Sequence, residues 1–451
     1  MSMRARASFR YPPRPPLAKP TLSKPTRKRT APANAPAPRR TGGRRAQRRL
    51  GVWLFGAYGG LATTVVVGSR AIARGLAPAH GLLSETELCQ GLDLAPLDGL
   101  VFGGHEVRRS DFVAAATEIH QNGGSIPWPV LQALRGELRA LSRNVVPGAL
   151  ANAGRTIERL VGDDGGKLPQ KRPLRAQIEA VQRDIRAFQR RHGLDRVVCV
   201  NLTSTEPPLR LGKAHAELAA FEQALDRDDE SAVRSSALYA YAAAALGLPF
   251  VHFTPSNATL TPAVCELFER TGAPYAGADG KSGETLVKSA LAPMFKYRNL
   301  RVLTWQGYNI LGDRDGKVLA DDDNKSAKVA TKDGLLPQIL GYPLHTHVGI
   351  DYVPSLHDHK TAWDFIHFEG FLGHRMAMQF VWQGCDAILA APLVLDLVRL
   401  VDLAARAGES GPQRHLACFF KQPVGVPEHD LHVQWHLLTD WLQQQRAAVR
   451  R

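Results

Sequence analysis

The chain is poor in cysteine, short of long apolar runs, and its first fifty residues contain no acid. Five cysteines in 451 residues (Cys89, Cys199, Cys265, Cys385 and Cys418) are odd in number, scattered, and form no C-x-x-C pair. That pattern excludes a disulfide framework and a zinc ribbon, and fits reduced thiols in a cytoplasmic protein. One uncharged run reaches membrane-spanning length, the 19 residues from Leu50 to Gly68, behind two Arg-Arg pairs. It holds Gly56, Gly59, Gly60 and Gly68 as well as Thr63 and Thr64. A buried strand, a glycine turn and a helix start account for it better than a membrane span. Internal repeats are absent.

The missing acids explain the net charge of +15. Residues 1–50 carry 15 Lys and Arg and no Asp or Glu, and the remainder balances, with 42 residues of each sign. The positive field therefore belongs to the leading segment, which is rich in Pro, Arg, Ala and Thr. Such a segment buries too little apolar surface to offset its ordering entropy, so residues 1–50 read as a disordered basic tail. The balanced body argues against a specific nucleic-acid surface. Its length leaves room for two or three domains and a large core.

Apolar segments alternate between strand-like and helical patterns. Val52–Phe55, Leu100–Phe102, Val197–Asn201, Phe250–Thr254 and Arg301–Trp305 read as strands. Helices are expected on from the glycine turn to about Arg74, over Leu174–His192 and over Leu211–Leu225, with an exposed loop from Gly162 to Pro173. This alternation predicts an α/β fold with a largely parallel sheet.

Several positions carry chemistry in such a sheet. Gly56-Ala57-Tyr58-Gly59-Gly60 lies between a strand and a helix, where glycines admit a pyrophosphate to the helix N-terminus; its spacing, G-x-x-G-G, is not G-x-G-x-x-G. Glu106 ends the second strand region, where an acid accepts hydrogen bonds from ribose hydroxyls and favours NAD over NADP. Thr203, Ser204 and Asn257 lie at strand ends, where nucleotides bind, and each also suits turn capping. Ser282-Gly283-Glu284-Thr285 opens an amphipathic helix and presents backbone N–H groups to an anion. Lys328 and Lys332, at i and i+4, share one face of an expected helix. Asp386 reads as a helix N-cap. His345, His347, His357, Asp358 and His359 cluster in sequence. An H-x-H on a strand puts both rings on one face, so a metal is left open beside surface histidines.

Ordered motifs then carry a resemblance. "DGKSGETLVKS", "YNILGDRDG", "SAKVATK", "HDHKTAWDF", "GCDAILAAPLVLDL" and "CFFKQP", preceded by "GAYGGLATT", "VFGGHE", "NLTSTEP" and "TPSNAT", resemble the myo-inositol-1-phosphate synthase family in its compact bacterial and archaeal form. The resemblance spans roughly residues 51–425. It implies a Rossmann-like NAD-binding domain with an inserted α+β catalytic and oligomerisation domain. Residues 51–252 would form the first part of the NAD-binding domain, 253–370 the insertion, and 371–451 the return.

The implied activity is the redox-neutral cyclisation of glucose 6-phosphate to myo-inositol 1-phosphate, the entry to inositol and phospholipid biosynthesis. It proceeds by oxidation at carbon 5, enolisation, intramolecular aldol closure and reduction, with NAD regenerated. The resemblance gives Lys328, Lys332, Lys360 and Lys421 as the active-site lysines. Lys328 would serve the carbon 5 oxygen, Lys421 the carbon 1 oxygen, and Lys332 and Lys360 the phosphate and the enolate. Asn309 and Asp315 join them. Ser282, Gly283, Glu284, Thr285, Leu311 and Asp313 would surround the phosphate, with only the backbone of Glu284 facing it. Gly56, Tyr58, Gly59, Gly60, Thr63, Glu106, Thr203, Ser204, Asn257, Asp279, Asp386 and Ala387 would hold NAD. Relatives differ in using a divalent or a monovalent cation, and a homotetramer is the family's assembly. The alternatives are a related enzyme of another sugar phosphate and a catalytically silent NAD-binding scaffold.

Overall fold

The computed structural model describes residues 48–163, 171–319 and 334–449. The strands, in chain order, are β1 (Leu50–Phe55), β2 (Leu100–Glu106), β3 (Val145–Pro147), β4 (Arg196–Asn201), β5 (Phe250–His252), β6 (Pro274–Ala276), β7 (Arg301–Leu311), β8 (His345–Tyr352), β9 (Lys360–Glu369), β10 (Arg375–Gly384) and β11 (Gly411–Pro412). The helices are α1 (Gly60–Ala73), α2 (Phe112–Gly123), α3 (Trp128–Ser142), α4 (Arg155–Asp163), α5 (Leu174–His192), α6 (Leu218–Asp226), α7 (Ser235–Ala245), α8 (Pro262–Thr271), α9 (Glu284–Tyr297), α10 (Arg314–Leu319), α11 (Leu335–Leu340), α12 (Asp386–Arg406) and α13 (Leu431–Val449).

Seven parallel strands form one sheet in the order β11-β6-β5-β4-β1-β2-β3. β1 lies inside it, and all six of its residues are buried, as an apolar strand covered on both faces should be. Its even positions, Val52 and Leu54, join the core formed with α1, α2, α3 and α12. Its odd positions, Trp53 and Phe55, join the core formed with α5, α7 and α8. α5 spans the expected residues and buries Leu174, Ile178, Val181, Ile185 and Phe188, spaced four and three apart along one face. α12 returns to this layer. Its buried Asp396 accepts from the backbone N–H groups of Leu83 (2.8 Å) and Ser84 (3.0 Å).

The second sheet has the order β10-β9-β7-β8, with β7 and β8 parallel and the other pairs antiparallel. One face packs on α9 and α11 through Phe295, Trp305, Leu336, Ile339 and Ile366. The opposite face is open and aromatic. Tyr308 (40% exposed) stacks on Trp363 (37% exposed) at 5.6 Å, with His347, Phe365 and His367 continuing the row.

Some expectations are corrected. The strand starting at Arg301 runs on to Leu311, because pairing with β9 continues through Leu311 opposite Lys360. Tyr308 to Leu311 is thus strand as well. The helix expected over 211–225 breaks into one turn at Lys213–His215 and then α6. The His215 ring takes a hydrogen bond from the Gly212 N–H (2.9 Å), and Glu266 caps the Leu218 N–H (2.8 Å), which starts the helix anew. The 162–173 loop instead begins inside α4. The strand membership also differs from the expected limits of the insertion. β6 belongs to the first sheet and β10 to the second. The helix expected to bear Lys328 and Lys332 lies outside the described residues. Among the described residues, no helix is long and apolar enough to cross a membrane.

Candidate active site

The C-terminal ends of β1, β2, β4 and β5 open on a cavity of about 580 Å³. This is the edge where ligands of parallel sheets bind. β1 runs directly into Gly56, whose φ of +83° suits glycine, and a Cβ there would meet the Leu202 carbonyl oxygen at 2.9 Å. Gly59 then caps α1 without any side-chain hydrogen bond to its first N–H groups. An anion is thus offered the bare N-terminus of α1.

Glu106, at the end of β2, lines the same cavity. Its carboxylate accepts from the backbone N–H groups of Tyr58 (2.8 Å), Val107 (2.8 Å) and Arg108 (2.9 Å). Burial pushes its proton affinity up, and those three donors oppose the shift. Glu106 therefore ties the glycine turn to β2, while its carboxylate keeps acceptor capacity for a ribose hydroxyl. Thr203 and Ser204 line the wall above β4, and the Thr203 hydroxyl donates to Asn201 (2.9 Å). The apolar side of α4, with Ile157, Leu160 and Val161, closes the far end. The glycine cradle, the capless helix and the apolar wall fit a dinucleotide.

The other half of the cavity is built by two crossing segments. Backbone bonds from Lys281 N–H to Phe419 (2.8 Å), Lys421 N–H to Asp279 (2.7 Å) and Gln422 N–H to Ala278 (3.1 Å) pair residues 278–281 with 419–422. That pairing sets the Lys421 ammonium against the Asp279 carboxylate at 2.7 Å. Lys360 enters from the first residue of β9, and its ammonium lies 3.0 Å from Asp386, the first residue of α12. Between them α9 begins. Its N-cap Gly283 makes no side-chain cap, and a Cβ there would lie 3.5 Å from Asp386 Oδ1 and 3.6 Å from Lys360 Nζ. Ser282, Gly283, Glu284 and Thr285 all line the cavity, as do Asp279, Asp313, Lys360, Asp386, Ala387 and Lys421.

The Glu284 side chain has another use. Its carboxylate is 1% exposed, pairs with Lys288 at 2.6 Å one helical turn on, and receives the Asn309 amide at 2.5 Å. Asn309 is buried and supports α9 from β7 without lining the cavity. Leu311 packs with Leu319, Val348 and Ile350, beneath the site. Thr63 is buried within α1. Asn257 does not line the cavity: its amide group clamps both backbone groups of Leu209 at 2.8 Å. Asp313 accepts from the Gly316 N–H (2.8 Å) at the start of α10, the helix that contains Asp315. Lys328 and Lys332 lie outside the described residues.

The histidine cluster of the sequence is divided in space. His345 and His347 begin β8, whereas His357, Asp358 and His359 follow its other end, about 23 Å of strand away. Among the described residues, no group of three or more His, Cys, Asp or Glu is placed to hold a metal.

Sequence reasoning missed the clasp at the mouth. Glu118 of α2 takes Arg108 (2.6 Å) on one oxygen and Arg314 of α10 (3.0 Å) on the other. It also gave Lys281 no role, although the residue sits inside a quoted motif. That ammonium is 1% exposed and donates to the buried Gln434 of α13 at 2.6 Å. Burial lowers its pKa to about 8.

This arrangement defines an α/β enzyme that uses a dinucleotide. Comparison with known proteins then fixes the family. The NAD-binding family model described as Myo-inositol-1-phosphate synthase matches residues 50–443, and the chain belongs to that family. A relative from Bacteroides thetaiotaomicron, inositol-3-phosphate synthase 1, is 36% identical over 421 residues, covering 88% of this chain and 96% of its own. The solved inositol-3-phosphate synthase of Caenorhabditis elegans has the same fold, with a TM-score of 0.77 at 23% identity over 89% of this chain and 86% of the other. A myo-inositol-1-phosphate synthase-related protein from Thermotoga maritima superposes with a TM-score of 0.71 at 21% identity, covering 88% of this chain and 99% of that one.

Proposed function

We propose that this chain is an NAD-dependent inositol-3-phosphate synthase, converting glucose 6-phosphate to an inositol monophosphate without net oxidation. The observation that carries the reading is the sharing of one cavity by the α1 glycine turn, the bare α9 N-terminus, and two lysine–carboxylate pairs. NAD, when bound, supplies the hydride acceptor at carbon 5 and returns the hydride at the end.

The remaining steps fall to side chains. The N–H groups at Gly283, Glu284 and Thr285 and the Ser282 and Thr285 hydroxyls hold the phosphate. Glu284, neutralised by Lys288, adds no repulsion there. Lys360, beside that helix start, holds phosphate and stabilises the enolate oxygen. Lys421, poised by Asp279, protonates and stabilises the carbon 1 oxygen as the ring closes. Lys328 and Lys332 complete the set by family resemblance, with Lys328 at the carbon 5 oxygen, and Asp315 joins them on the same ground. A cation, divalent or monovalent, is an additional ligand in this reading.

The sheets suggest an inserted catalytic unit running from about 284 to 385, with 46–283 and 386–449 forming the NAD-binding unit. The open aromatic face of the second sheet is the surface on which copies would assemble, as a homotetramer. Five cysteines without a disulfide suit a cytoplasmic protein.

The test is the full chain with glucose 6-phosphate and substoichiometric NAD, followed by phosphorus NMR, with and without EDTA. Inositol phosphate exceeding the NAD added, with no NADH accumulating, is expected, and Lys360→Met should lower turnover by about 10²–10⁴. Product limited to one equivalent of NAD, or NADH release on turnover, would sink the redox-neutral reading. Loss of product in EDTA would establish a divalent cation.

A further inference from the structure

The far edge of the parallel sheet carries a second cleft, of about 610 Å³. It lies where β1 and β2 begin, between the C-terminal ends of α3 and α5. The six residues of β1 separate it from the glycine turn by about 20 Å. Four arginines and a histidine line it (Arg49, Arg70, Arg143, Arg191 and His192), and Asp98 is its one acid.

The arginines differ in how far they are satisfied. Arg49 donates to the His192 carbonyl at 2.8 Å. The Arg70 side chain is only 9% exposed, donates to the Leu97 carbonyl, and lies 3.5 Å from Glu137. Its buried Nε has no hydrogen-bond partner among the described residues. A buried guanidinium N–H without an acceptor is costly. Arg143 and Arg191 are exposed and have no side-chain ion pair or hydrogen bond among the described residues. Arg143 caps α3 and Arg191 sits in the last turn of α5, positions that helix dipoles favour for cations. Neither donates to a helix carbonyl, so dipole attraction places them without using their donors. The field in the cleft is positive: burial, then Arg49 and Arg191, lower the proton affinity of His192.

We infer that this cleft is a second anion site, for a small molecule carrying more than one phosphoryl group. A single phosphate is satisfied by one or two guanidinium forks, and here four arginines line one space that admits a larger ligand. The site lies at the opposite end of the sheet from the catalytic cavity, so the inference does not rest on the proposed function.

Titration of the full chain with inorganic tripolyphosphate, by calorimetry at low ionic strength, tests it. The comparison is with an Arg143→Gln/Arg191→Gln double variant, both positions being exposed and outside the core. Binding to the basic residues 1–47 or at the α9 N-terminus is common to both proteins and cancels. One tripolyphosphate per chain should be lost or weakened at least tenfold in the variant, with NAD affinity unchanged, and orthophosphate should bind the same site at least tenfold more weakly. Identical isotherms for the two proteins, or no binding by the unaltered chain, would overturn the proposal. As a second variant, Arg70→Gln should weaken the same binding step; a folded Arg70→Gln protein with unchanged affinity would also count against it.

Discussion

Lys281 and Glu284 lie three residues apart at the mouth of α9, both buried, and they are stabilised differently. Lys281 has an amide oxygen for a partner and, among the described residues, no carboxylate contact. Its pKa falls from 10.5 to about 8 on folding. Between those values the unfolded chain holds a proton that the folded chain has released, so stability rises with pH across that window. Below pH 8 both states are protonated and the cost is constant. The wild type should therefore gain on Lys281→Met by up to about 3 kcal/mol as pH rises from 8 toward 10.5, read from denaturation midpoints. A pH-independent gap between the two proteins would refute it. Glu284, by contrast, pairs with the Lys288 ammonium at 2.6 Å in the interior. Among the described residues, Glu284→Ala leaves that ammonium with only Asp364, 3.9 Å away, and should cost about 3 kcal/mol in chemical denaturation. Glu284→Gln should keep the KM for sugar phosphate within a few-fold, because its carboxylate is engaged by Lys288 and Asn309.

At the level of elements, the site is a meeting of chain ends: β1 into α1, the 278–281 segment into α9, and β9 and α12 starting side by side. Gly56→Ala forces a side chain into a left-handed conformation and against the Leu202 carbonyl. It should raise the Kd for NAD at least tenfold, as read by NADH fluorescence, with smaller effects on sugar-phosphate affinity. Much of this was legible in the sequence. The glycine turn, Glu106 and the helix opening at Ser282 are local signals, each set by backbone requirements within a few residues. What was not legible depends on distant partners. Asn257 has the side chain of a nucleotide contact, but Leu209 occupies it. The five histidine and aspartate residues look clustered along the chain because β8 is invisible until its pairing is known. The Arg108–Glu118–Arg314 clasp joins side chains of which two are 196 residues apart, and no spacing announces it. β7 runs past the expected end at Trp305 because pairing with β8 and β9 on both sides holds Tyr308-Asn309 extended.

For the molecule as a whole, the second sheet is half covered. Its inner face has α9 and α11, and its outer face presents Tyr308, Trp363 and Val381 to solvent. Exposed aromatic ladders of this kind mark assembly surfaces. Trp363→Glu should shift the protein to smaller species by light scattering at micromolar concentration, and unchanged mass would place the interface elsewhere. The crossing of 278–281 with 419–422 bears on biosynthesis. Asp279 and Lys421 are 142 residues apart in the order of translation. A nascent chain that has passed α9 still lacks α12, which packs in the core of the first sheet, and Lys421, and β6 has only β5 beside it until β11 emerges. The cavity is thus complete only when the ribosome has delivered the last crossing segment, and a chain terminated before residue 419 should assemble neither the Asp279–Lys421 pair nor the whole first sheet.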